Sequence, residues 1–375
     1  MSKTYKWILA IIVIALVVLG VWYYGSKPTT LAETGPIKIG AILPLTGNNS
    51  STGEAIREGL DIALGEINSK KGQTIEMIYE DSQGDSVLAI SAYNKLRNID
   101  GVNYFVVSIS GPVLAIAPQA EKDKVILLAL GTASPKVTTA GDYIFRHNLL
   151  PQEEAQKIAK YLIDQGIKKI PVLVVKAEAG QSYYDFFKKE YETLGGEIMM
   201  TEWYEKGAKD YRTNLQKIKT LKAQLVLAFS YPQELALILN QAKENKMTNR
   251  WFTTYAGVDP KMLEVAGQNA EGIIFTHYFN PDSGRPEFLK FKDVYAQTYN
   301  KTMPPYAAMG YDSLKVMSLV ITKCAKDVEC TKMALYAIKD FAGATGSIGF
   351  DLNGDTRKEI YFLTIKNGQF VPLEK

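Results

Sequence analysis

A chain of 375 residues exceeds what one hydrophobic core usually serves, so about two domains are expected. With 46% hydrophobic and 22% charged residues, its composition is globular, neither disordered nor wholly membrane-embedded. The net charge is +3; Lys3, Lys6, Lys27 and Glu33 supply +2 of it within residues 1–35, leaving about +1 elsewhere, without the clustered basic face that a nucleic-acid binder needs.

The run WILAIIVIALVVLGVWYY, residues 7–24, carries no charge. As a helix it would span about 27 Å, enough for the hydrocarbon core of a bilayer. Trp7 at one end and Trp22, Tyr23 and Tyr24 at the other suit the two interfaces. A cleavable signal peptide would have a shorter apolar region and a site of small residues, where this chain has VWYYGSKP. The segment reads as an uncleaved single-pass anchor, with cleavage and a buried core helix as the alternatives. Lys3 and Lys6 then put the N-terminus in the cytoplasm and the rest of the chain on the extracytoplasmic face of the cell membrane. Residues 1–35 form this anchor and a polar tether.

Strand and helix alternate from there on. In IKIGAIL, residues 37–43, Ile37, Ile39, Ala41 and Leu43 share one face, as in a strand. A helix follows, with Ser51 and Glu54 as a capping box and Ile56, Leu60, Ala63, Leu64 and Ile67 at helical spacing. Strands at 75–80, 103–108 and 125–130 come next, separated by helices near 86–98 and 113–123. Such βαβ units predict a mostly parallel sheet. The pattern restarts after Pro151, with strands PVLVV, EIMMTEW, QLVLAFS, WFTTY and GIIFTHY and helices between the first four. Two such runs imply two lobes. Helices from Pro286, Tyr306 and Thr331 follow, and Asn353-Gly354 is a hairpin-turn signal.

Little points to catalysis. No phosphate loop, dinucleotide fingerprint, zinc-protease motif or nucleophile elbow occurs. His147 follows the strand-like YIFR and reads as structural. Asp351, Asn353 and Asp355 begin like a calcium loop, but Thr356 and Phe362 stand where that loop needs Gly and Glu. No metal site and no cofactor are expected. The two cysteines, Cys324 and Cys330, lack nearby histidines for a metal site; outside the cell a local disulfide is the expectation, with two free thiols as the alternative.

The order of elements and several local motifs resemble the type I periplasmic solute-binding proteins, in particular the leucine/isoleucine/valine-binding family of ABC importers. The motifs are IKIGAILPLTG with Gly53 and Gly59 beyond, YEDSQGD, SGP, TASP, YIFR, EGIIFTHY and GATGSIGFDLNGD, spread over residues 37–371. The resemblance implies two doubly wound, mostly parallel α/β lobes joined by three crossovers. Lobe 1 is expected over residues 36–148 and 277–350, lobe 2 over 149–276 and 351–375.

It also implies a ligand site between the lobes and no enzymatic activity. Ligands of open α/β sheets bind beyond the carboxyl ends of the strands, where this chain has Ser110-Gly111 and Gly131-Thr132-Ala133. The family uses hydroxyl and backbone groups there for an amino acid's head group, so these five residues are expected to touch ligand. Ala133 stands where threonine is common. Ser230, Tyr231 and Tyr255 are the matching candidates of the second lobe, and Thr52 would wall the ligand's side chain. Two departures stand out. Ala179-Gly180 lacks the family's frequent tyrosine before the glycine, and Thr254, Tyr255 and Ala256 lack the acid that meets a ligand's ammonium. The expected function is capture of an amino-acid-like or other small polar or anionic solute by hinge closure, for delivery to ABC permease subunits. The alternative is a membrane-anchored sensor that signals to a partner.

Overall fold

The computed structural model describes residues 35–70, 74–278, 280 and 284–374; the expected membrane helix at residues 7–24 lies outside them. The first sheet is built from β1 (Ile37–Leu43), β2 (Ile75–Asp81), β3 (Tyr104–Ser108), β4 (Ile126–Leu130) and β5 (Ile144–His147). Its order is β2-β1-β3-β4-β5, and every pair is parallel. Helices α1 (Ser50–Asn68), α2 (Ser86–Asn98) and α3 (Ser110–Lys122) make the crossovers. In β1, all residues except Lys38 are buried, so both faces are covered, as a parallel sheet between helix layers requires.

The second sheet contains β6 (Lys169–Lys176), β7 (Glu197–Glu205), β8 (Leu225–Phe229), β9 (Arg250–Thr253) and β10 (Ile274–His277). Between them run α4 (Pro151–Asp164), which precedes β6, then α5 (Glu178–Thr193), α6 (Arg212–Thr220), α7 (Pro232–Glu244) and α8 (Pro260–Ala266). After β10 come α9 (Pro286–Tyr299), α10 (Pro305–Lys323), α11 (Val328–Ala337) and the short ribbon β11 (Phe341–Gly343) with β12 (Gly346–Ile348). The chain then adds β13 (Tyr361–Lys366) and β14 (Gln369–Pro372) antiparallel at the edge beyond β10. The second sheet is thus ordered β14-β13-β10-β9-β8-β6-β7.

Helix α10 brings the chain back to the first lobe by packing tightly along α1. A methyl group built on Gly59 would lie 1.9 Å from the Ala307 carbonyl oxygen, and one on Gly310 2.3 Å from that of Ile56. Only glycine permits that backbone approach, which accounts for Gly59 in physical terms. Cys324 caps α10 and is disulfide-bonded to Cys330 in α11.

Two local expectations fail. The Ser51–Glu54 capping box does not form: α1 starts at Ser50 with Asn49 at the N-cap and no side-chain cap bond. The Asn353-Gly354 turn is present, closed by Asp351 N–H donating to the Asp355 carbonyl at 2.9 Å. No ladder grows from it, because only the isolated Phe350–Thr356 bridge flanks it and the preceding strand pairs with β11 instead.

Candidate functional site

The carboxyl ends of β3 and β4 carry the first part of the site. Ile109 joins β3 to α3 with φ +73° and ψ 133°. A β-branched residue at positive φ is a backbone outlier costing about 1–3 kcal/mol, a strain that gathers at functional positions. It sets Ser110 at the start of α3, where the Ser110 hydroxyl accepts the Ala133 N–H at 3.0 Å. Gly131 leaves β4 at φ +57°, and a methyl group on it would lie 3.1 Å from the Tyr306 ring. Thr132 and Ala133 follow, both buried, and the Thr132 hydroxyl has no hydrogen-bond partner among the described residues. The structure therefore brings Ser110, Gly131, Thr132 and Ala133 together, with Gly111 in the first turn of α3 beside Ser86.

Two side chains missed by sequence reasoning hold this cradle. The buried Arg146 donates from Nη1 to the Ser134 carbonyl at 2.9 Å, from Nη2 to Thr138 Oγ1 at 2.6 Å and from Nε to Asp355 Oδ1 at 2.7 Å. Asn148 donates to the Thr132 carbonyl at 2.7 Å and accepts the Tyr255 hydroxyl. Tyr255, from the turn after β9, thus reaches the first lobe through a crossover residue. Its ring centroid lies 5.8 Å from that of Tyr306 and 5.4 Å from that of Tyr278. The signal available in sequence was slight: Asn148 merely follows a strand, and Tyr306 merely starts a helix.

Candidates from the second lobe divide. Tyr231 is half-buried, with the Lys206 ammonium 6.0 Å from its ring centroid. Ser230 turns inward instead: it accepts the Tyr204 hydroxyl at 2.7 Å and donates to the Tyr231 carbonyl at 3.1 Å. Thr52, in the first turn of α1, is buried on the first-lobe side.

Three carboxyls on neighbouring segments of the chain, Glu154, Glu234 and Asp259, are buried. Glu154 is fully buried and accepts the hydroxyls of Tyr183, at 2.5 Å, and Thr276. Burial raises it to about 7 against the pull of those donors and the Tyr255 backbone. Burial also raises Glu234, which accepts Gly207 N–H at 2.6 Å, and Asp259, which caps α8 through Met262 N–H. Asp259 thus caps its helix, with the Ser51 hydroxyl also drawing its pKa down against burial, and no acid stands at 254–256.

His147 is buried between Ser313, 2.9 Å from Nδ1, and Thr345, 3.1 Å from Nε2. Thr345 donates its hydroxyl to Asp312, so Nε2 donates to Thr345 and Nδ1 accepts from Ser313. Burial holds the ring neutral, in a structural role. Among the described residues no group of side chains could hold a metal ion. An open groove of about 1080 Å³, walled by Leu263, Phe288, Met303, Leu363 and Phe370, shares no residue with the cradle.

The lobes meet around the site. Lys206 donates to the Gly84 carbonyl at 3.2 Å, Ser134 donates to Glu178 at 2.9 Å, and Lys136 pairs with Glu178 at 3.0 Å. Two α/β lobes that meet at hydroxyls, backbone and tyrosines have the architecture of the two-lobed solute-binding proteins.

The profile of the periplasmic binding protein family matches residues 36–369, and the chain belongs to that family, within its leucine/isoleucine/valine-binding branch of extracytoplasmic, non-enzymatic proteins. Leu/Ile/Val-binding protein homolog 6 of Brucella suis is 25% identical over 350 residues, covering 90% of this chain and 88% of that one. A leucine-, isoleucine-, valine-, threonine- and alanine-binding protein of Pseudomonas aeruginosa is 27% identical, covering 86% and 87%. The crystal structure of a leucine-binding protein from Thermotoga maritima matches with a TM-score of 0.85 at 26% identity, over 90% of this chain and 98% of that one. A solute-binding protein of an ABC transporter from R. palustris, in complex with benzoate, shares the fold at a TM-score of 0.85 and 20% identity, over 90% and 96%.

Proposed function

We propose that this protein is the extracytoplasmic receptor of an ABC importer, holding a small amino-acid-like or anionic solute between its lobes and presenting the closed form to permease subunits. The observation that carries this reading is the cradle at Ser110 and Gly131–Ala133, faced by Tyr255 and Tyr306. Gly111 lies in the first turn of α3, whose N-terminus favours a carboxylate. Thr132 offers an unpaired hydroxyl, Tyr231 and Thr52 line the two sides, and Ser230 positions Tyr204.

Residues 36–148 with 277–350 and 149–276 with 351–375 act as the two rigid bodies of a hinge motion. The apolar run at 7–24 anchors the receptor to the membrane and raises its concentration near the transporter.

The test is a thermal-shift screen of the full-length protein with amino acids, their amides and aromatic acids. A solute at 100 times its dissociation constant stabilises the fold by about 2.7 kcal/mol, a visible shift. No shift with any member of the panel counts against the receptor reading.

A further inference from the structure

The cradle accounts for one end of a solute and leaves the other unassigned, and Asn49 is a buried polar residue that the cradle does not use. It stands at the N-cap of α1 yet makes no capping bond with its side chain. The residue is 1% exposed, and neither its Oδ1 nor its Nδ2 has a hydrogen-bond partner among the described residues. A buried polar group without a partner loses its hydration for nothing, so native structures rarely keep one.

The surroundings of Asn49 are polar and come from both lobes. Thr52 lies three residues on, on the same face of α1, and is buried with it. The Asn49 amide and the Lys206 ammonium flank Gly84: a methyl group built there would lie 3.2 Å from Asn49 Oδ1 and 3.3 Å from Lys206 Nζ. Lys206 in turn stands over Tyr231. Burial lowers its pKa, while the nearby carboxylates of Glu234 and Asp85 act to raise it. An alkyl group placed against Asn49, Thr52 and Lys206 would satisfy neither amide atom and would desolvate the ammonium further.

We infer that the solute carries a carboxamide or hydroxyl at the end remote from Ser110, read by the Asn49 amide, in place of a branched alkyl chain. Either group supplies a donor and an acceptor, which match Oδ1 and Nδ2. This rests on the receptor reading. A subsite that hydrogen-bonds its ligand rejects the analogue lacking the group, because its own polar atoms are then stranded.

The experiment is calorimetric titration of the full-length protein with near-isosteric pairs: asparagine against leucine, threonine against valine, and 4-hydroxybenzoate against 4-methylbenzoate. The expected result is that the polar member of at least one pair binds about tenfold tighter or more, and that Asn49→Leu removes the preference while the cradle end still binds. If Asn49→Leu fails to fold, Asn49→Ser serves, and the preference should shrink. Tighter binding of the apolar members, or a ratio unchanged in the variant, overturns the inference and leaves the receptor reading standing. A panel in which nothing binds overturns both.

Discussion

Ser110 does two things at once. Its oxygen accepts the Ala133 N–H, which shapes the cradle, and its own hydrogen stays available to a ligand. Ser110→Ala should therefore weaken solute binding by about 1–3 kcal/mol and also lower apo stability by about 1 kcal/mol, since it strands the Ala133 N–H. Titration and denaturant melts on the same variant check both; unchanged affinity would remove Ser110 from the site. Glu154 makes a pH prediction. The folded protein keeps its proton up to about 7, whereas an unfolded glutamate loses it near 4.5. Between those values the native state holds more protons, so stability falls as pH rises through that window. Glu154→Gln should flatten this fall, measured as melting temperature from pH 4.5 to 8. An unaltered slope would mean that Glu154 ionises normally.

At the scale of elements, the crossover side chains do more than join lobes. Arg146 at the end of β5 ties Asp355, Thr138 and the Ser134 carbonyl into one buried network. Arg146→Met should cost about 3–5 kcal/mol by leaving Asp355 buried and unpaired, read by chemical denaturation. Removing the Cys324–Cys330 bridge should cost about 2 kcal/mol, because the loop it closes is short. Much of this layer was legible. Strand–helix alternation gave the parallel strands of both sheets, and the disulfide followed from spacing and compartment. Ser110 and Gly131–Ala133 could be placed beyond β3 and β4 because strand ends are local in sequence. Asn148, Glu154, Lys206 and Tyr306 could not: each looks like a loop, helix or strand-end residue until tertiary contacts between distant segments give it partners. The Ser51–Glu54 box shows the reverse error, a local signal overridden when α1 began two residues earlier, with Asn49 at its N-cap.

At the scale of the whole molecule, the proposed hinge motion makes function a matter of the balance between open and closed lobes, which no single strand or helix reveals. The Glu178 carboxylate of α5 receives Ser134 and Lys136 from the first lobe, outside the cradle proper. Lys136 is mostly exposed, so its ion pair is screened, and the Ser134 bond carries more of the latch. Together they are worth about 1 kcal/mol, or about a fivefold change in the closed-to-open ratio. Glu178→Ala should then leave the melting temperature nearly unchanged but enlarge the unliganded particle in small-angle scattering. Solute affinity should fall by a similar factor, because the ligand must supply the closing energy that the latch no longer does. Saturating solute should restore the compact form, since the cradle and Tyr255 are untouched. A variant that scatters like the wild type without ligand, yet binds more weakly, would instead place Glu178 in contact with the solute.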